Sequence, residues 1–172
     1  PGLTGVIAIA ALDNFSVAIK GDGSVWAWGN NSNGQLGDGT TSRRTSPVQV
    51  SGLTGAQAVA LSSEHVLVLK SDGTVMAWGQ NGVGQLGDGT TLERLSPVTV
   101  AGLTGASGLA AGSGISYALL ADGTLRGWGL YSYCLFGCVK RNVPGAGGSG
   151  VLNLLTDQTS PAPVISRNGD EG

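Results

Sequence analysis

One histidine, two cysteines and a recurring aspartate are the residues in this chain whose chemistry could build a reactive site. His65 stands alone inside an alternating apolar segment, so no serine or cysteine triad of the usual form can be assembled within the sequence. Cys134 and Cys138 lie four apart with no second pair and no histidine nearby, which excludes a tetrahedral zinc set. Two free thiols are the plainer reading of that pair, with a small disulfide loop in an oxidising compartment as the alternative. Asp38 and Asp88 each occur in the string GDGTT and suggest an oxygen-rich cation loop. The further acidic residues of a calcium loop are missing, so a turn role is favoured. The surrounding glycines also lack the lysine and helix of a phosphate-binding loop. These residues predict no catalytic group, no metal ligand and no cofactor: the chain reads as a non-enzyme.

What must position these residues is a repeated unit. Leu3, Leu53 and Leu103 belong to three copies of GLTG, and Trp28, Trp78 and Trp128 to three W-G pairs, a period of 50 residues. The string GQLGDGTT occurs twice without change, Gly34–Thr41 and Gly84–Thr91. A fixed period means one supersecondary unit copied in series, each burying its faces on its neighbours. The copies are assigned as 1–50, 51–100, and 101–129 with 159–165, interrupted by an insertion at 130–158 and followed by a tail, 166–172. The second copy predicts four strands: Ala56–Leu61, His65–Lys70, Thr74–Gly79 and Ser96–Val100. Asp72-Gly73 supplies the hairpin between the middle two, as Asp22-Gly23 and Asp122-Gly123 do in the other copies. Pro97 suits an edge strand, where a missing N–H is harmless. Both faces of HVLVLK are apolar, His65, Leu67 and Leu69 on one and Val66 and Val68 on the other. Small sheets covered on both sides imply a β-propeller, each blade having four antiparallel strands.

A residue present in every copy is expected to hold the unit together, so function is sought where copies differ. The tryptophans at 28, 78 and 128 read as packing between blades. Two residues earlier the copies carry Trp26, Met76 and Arg126, and the arginine implies a partly exposed edge that makes Trp26 a candidate partner contact. The third copy departs after Gly129: CLFGCVKR (Cys134–Arg141) replaces GQLGDGTT, and Thr159 arrives 14 residues late. Tyr131, Tyr133, Phe136, Lys140 and Arg141 combine aromatic anchors with cations and suit a partner-binding loop. A degenerate terminal unit is the plainer alternative.

Composition narrows the partner. Of 172 residues 31 are glycine, 41% are apolar and 12% charged, which fits short strands and tight turns and excludes a disordered chain. A net charge of −2 does not favour nucleic acid or an anionic membrane surface. No apolar run approaches the ~20 residues of a membrane-spanning helix. The only methionine is Met76 and the chain opens inside a repeat, so a segment of a longer protein is expected.

The order DGTVMAWGQNGVGQLGDGTT, SPVTV, GLTG resembles the regulator of chromosome condensation repeat, in its regularly spaced bacterial form. The likeness covers Pro1 to about Gly129 and resumes at Thr159–Val164. It implies a seven-bladed propeller whose blades are closed by a strand from the neighbouring repeat. At this period seven blades require about 350 residues, so about three are present, and further repeats or another chain are needed to close the ring. The resemblance implies a protein-binding scaffold with an unidentified protein partner, and favours an extracellular or cell-surface bacterial setting. Its alternatives are a structural segment of a larger secreted or surface protein, a guanine-nucleotide exchange-like propeller, or an enzyme inhibitor. The family's frequent second-strand histidine falls at His65, with Phe15 and Ile115 in the other copies, a pattern that fits packing.

Overall fold

The computed structural model describes residues 2–130 and 158–163, which hold twelve strands and no helix. The first sheet comprises β1 (Val6–Leu12), β2 (Phe15–Lys20), β3 (Val25–Gly29) and β4 (Arg44–Gln49). The second comprises β5 (Ala56–Leu61), β6 (His65–Lys70), β7 (Val75–Gly79) and β8 (Arg94–Thr99). The third comprises β9 (Ala106–Gly112), β10 (Ile115–Leu120), β11 (Leu125–Gly129) and β12 (Gln158–Pro163). Every pairing is antiparallel, and each sheet runs in chain order. The protein is all-β, with three four-stranded blades of an incomplete propeller.

Local chemistry sets the strand ends. Thr74 stays in the turn because its N–H and hydroxyl donate to Asp72 Oδ1 at 3.0 and 2.6 Å, so β7 starts at Val75 rather than at Thr74. The fourth strand begins two residues earlier than expected, because Arg94 already faces Gly79 across a register shift. Pro97 lies in this outermost strand, where no ladder donor is lost. The late fourth strand of the third blade re-enters in the same frame. Arg126, Gly127 and Gly129 face Pro163, Ala162 and Gln158, as Met76, Ala77 and Gly79 face Thr99, Val98 and Arg94. The 14 additional residues therefore leave the pairing of β11 unchanged.

The core lies between sheets rather than within one. Val66 and Val68 of β6 pack toward the first blade with Val17, Ile19, Val25 and Ala27, while Leu67 and Leu69 pack toward the third with Ala106, Ala118 and Trp128. The first strands β1, β5 and β9 touch in succession and form the inner side of the arc. The first two Asp-Gly hairpins are each tied to the next blade: Ala56 N donates to Gly23 O at 3.1 Å and Ala106 N to Gly73 O at 3.0 Å. The two outer faces have no neighbour within the described residues. Ile9 is 78% exposed and Trp28 half-buried on one, and Leu119 and Leu125 are exposed on the other.

Gly37 shows how tightly the blades close. Its φ is +66°, and a Cβ there would stand 2.7 Å from the Trp78 indole nitrogen of the next blade. Gly52 has a similar φ of +72° with nothing within 4 Å. Gly52→Ala is expected to cost about 1 kcal/mol through backbone strain alone, and Gly37→Ala about 3 kcal/mol because the indole must also move. Urea unfolding of both variants checks this, and equal losses would show that the inter-blade approach is not the constraint.

Candidate functional site

The loops after β3 and β7 form the same polar cage. Asn31 is fully buried, and its side-chain N–H2 donates to Asp38 Oδ1 (3.2 Å), Thr40 O (2.9 Å) and Ser42 O (3.1 Å), while its Oδ1 accepts from Leu36 N at 2.9 Å. Asn81 repeats this with Asp88, Thr90, Leu92 and Leu86 at 2.9–3.1 Å. Asp38 Oδ1 accepts from the Thr40 N–H and hydroxyl, and its Oδ2 accepts from both Arg44 Nε and an Arg44 terminal nitrogen at 2.7 Å. Asp88 and Arg94 form the same fork at the same distances. Burial opposes ionisation of both carboxyls, and the bonds from Thr40 or Thr90 and from the arginine outweigh it, so each pKa lies below its ordinary value. With an arginine fork on one oxygen and threonine and asparagine donors on the other, these aspartates act as turn residues and have no free face for a cation.

The cage presents a carbonyl to the next blade. Gln35 O accepts from Trp78 Nε1 at 2.9 Å, and Gln85 O accepts from Trp128 Nε1 at 3.0 Å. The tryptophans predicted to pack between blades do so, with Trp78 and Trp128 buried. Trp28, whose face no other blade covers among the described residues, is only half-buried.

His65 has a role in the second junction. Its Nδ1 lies 2.6 Å from Ser62 Oγ and its Nε2 lies 2.8 Å from Ser116 Oγ of the third blade. Ser116 Oγ donates to Gln85 O at 2.7 Å, so it accepts from a protonated Nε2, and Nδ1 accepts from Ser62. A serine beside a histidine would suggest a nucleophile, yet Ser62 is buried and the second ring nitrogen meets another serine rather than a carboxylate. Burial pushes the His65 pKa down to about 4. This is a packing and latching position.

Of the residues expected to contact a partner, Trp26 is half-buried on β3, with Lys20 Nζ 5.9 Å from its ring centre and its indole N–H donating to Ser24 Oγ at 3.1 Å. Its counterpart Met76 packs against the first junction, so Trp26 lies on the outer face of the first blade, which no other blade covers among the described residues. Tyr131, Tyr133, Phe136, Lys140 and Arg141 lie outside the described residues, as do Cys134 and Cys138. Sequence reasoning missed Asn31, Asn81, Arg44 and Arg94, although each pair is spaced by the repeat period and flanks the GDGTT aspartate at a fixed offset.

Two stability effects follow. Asn81→Ala leaves Leu86 N–H and the Thr90 and Leu92 carbonyls without their partner, an expected loss of about 3 kcal/mol in urea unfolding. An unchanged midpoint would show that the cage is dispensable. For His65, the unfolded chain takes a proton near pH 6.5 and the folded chain only near 4, so the fold loses stability as pH falls through that window. The loss should reach about 3 kcal/mol below pH 4. His65→Phe, which places there the residue type of Phe15, should flatten the thermal midpoint between those two pH values; a slope equal to that of the parent would refute the assignment.

Models of the Regulator of chromosome condensation (RCC1) repeat match residues 22–69 and 72–119, and a second model of the same description matches 6–35 and 56–85. In the first frame each match starts at a hairpin and ends in the second strand of the next blade, so blades draw on two adjacent units. Counted from Leu3, each of the first two blades is contiguous. Among solved structures, human WBSCR16 superimposes with a TM-score of 0.76 at 21% identity, over 96% of this chain and 39% of that one. Yeast RCC1 (Prp20), solved bound to Kap60, gives 0.72 at 26% identity over 95% and 36%. Saccharomyces cerevisiae Prp20p, described with its binding properties to Gsp1p and histones, gives 0.71 at 25% over 95% and 37%. This chain spans less than two-fifths of the length of each of these three. Comparison with curated proteins gives no match.

Proposed function

Because the chain belongs to the regulator of chromosome condensation repeat family, we propose that it is a non-enzymatic scaffold whose loops and rims bind another protein. One observation carries this reading: the polar side chains that recur in the two cages are all engaged inside the protein. Asn31, Asp38, Arg44 and the indole of Trp78 bond to their own or a neighbouring blade, as do Asn81, Asp88, Arg94 and Trp128. Recognition therefore falls to positions where the copies differ. The third copy carries Tyr131, Leu135 and Cys138 at the offsets of Asn81, Gln85 and Asp88, and Gln158 in the strand position of Arg94. Every polar member of the cage is replaced there. In their place Tyr131, Tyr133, Phe136, Lys140 and Arg141 form an aromatic and cationic loop sequence suited to a protein partner. Trp26 and the exposed Ile9 lie on a face suited to a further blade of the ring.

A nucleotide-exchange role is the second reading, resting on the 26% identity to yeast RCC1. It would show as a small GTPase among the captured partners. The test is affinity capture from an extract of the source cells with the chain and with a variant carrying Tyr131→Ala, Tyr133→Ala, Phe136→Ala, Lys140→Ala and Arg141→Ala. The variant is expected to keep the far-UV circular dichroism of the parent and to lose about tenfold or more of the partner's affinity. Retention of the same partner at the same affinity would overturn the assignment of the loop. The absence of any partner specific to the folded chain would overturn the scaffold reading itself.

A further inference from the structure

The two blade junctions are alike in their cage and indole contacts but differ at the rim where the β1–β2 and β5–β6 turns meet the start of the first cage. At the first junction a cleft of about 370 Å³ opens between Asp13, Asn14, Phe15, Asn30, Asn33, Gln35, Ser63 and Glu64. At the corresponding place in the second junction, Gly114 closes on apolar groups, a Cβ there standing 3.3 Å from Val83 and 3.4 Å from Leu130. The cleft thus sits where the copies diverge from polar to apolar.

Its lining has a single character. Asp13 holds a φ of +50°, the one left-handed residue other than glycine among those described, which places its carboxylate at the rim. The ion pairs of the described residues join Lys20 to Asp22, Arg44 to Asp38, Lys70 to Asp72 and Arg94 to Asp88, and none involves Asp13 or Glu64. No lysine or arginine lines the cleft. The side-chain amides of Asn14 and Asn33 make no hydrogen bond within the described protein, whereas Gln35 is fixed, its Oε1 accepting from Asn33 N at 2.9 Å. Phe15 borders the cleft but is only 3% exposed, its side chain belonging to the core of the first junction.

Resting on the scaffold reading, we propose that this cleft receives an arginine side chain of the protein partner. A guanidinium offers five donors in a plane, matching the neighbouring amide oxygens and two carboxylates that have no ion-pair partner among the described residues. The volume is at the lower end of ligand-sized pockets, enough for one long side chain.

The test titrates the 172-residue chain with Nα-acetyl-arginine amide and with its neutral isostere Nα-acetyl-citrulline amide, followed by ¹H–¹⁵N spectra. The arginine compound should produce saturable shifts in the side-chain amide signals of Asn14, Asn30, Asn33 and Gln35. The citrulline compound should bind about tenfold more weakly or worse. The double variant Asp13→Asn and Glu64→Gln should weaken arginine binding by a similar factor, and its spectrum reports its own folding. Asparagine tolerates the left-handed conformation, so the turn is preserved. Equal binding of citrulline, retained binding in the double variant, or displacement of these shifts by calcium at lower concentration than arginine would each overturn the proposal. Should the double variant still capture the parent's partner at full affinity, the cleft is refuted while the scaffold stands. Should the folded chain capture no partner while the arginine shifts persist, the scaffold reading fails and the cleft stands.

Discussion

The bond from the Trp78 indole to the Gln35 carbonyl, repeated from Trp128 to Gln85, is the contact on which the rest of the protein depends. A four-stranded sheet has two apolar faces and cannot cover either by itself. The indole is buried among the apolar side chains between two blades, and its N–H has one direction in which to be satisfied. Because that direction is a backbone carbonyl in the preceding loop, the loop must hold its shape to within a few tenths of an ångström. The cage of Asn31, Asp38 and Arg44 supplies that rigidity, and Gly37 supplies the room. Loop polarity and blade packing are one constraint seen from two sides.

That coupling explains how much of the protein was legible in its sequence. The repeat period, the Asp-Gly hairpins and the apolar faces of HVLVLK encode local geometry, and local geometry survives in a string of residue types. The blade, its strand count and the buried tryptophans followed from these. The expected starts of the third and fourth strands missed by one and two residues because Asp72 captures Thr74 and because Arg94 is drawn into the ladder by a bulge.

The cage was less visible because the bonds of its asparagine and arginine span four to eleven residues and join types that are ordinary in loops. Ser116, 51 residues from His65, could be assigned to it only once the blades were stacked. Trp26 shows a different limit. Its polar environment and partial exposure are properties of an uncovered sheet face, and sequence alone gives a residue no neighbour to lack.

The two uncovered faces are not copies of each other. One presents Ile9 and Trp28, the other Leu119 and Leu125. An interaction that joins one to the other is heterologous, so it carries a direction along the arc. No two-fold axis can relate partners joined this way. Their symmetry is set by the rotation from blade to blade: a whole fraction of a turn closes a ring, and any other value leaves an assembly that keeps growing from a defined front and back.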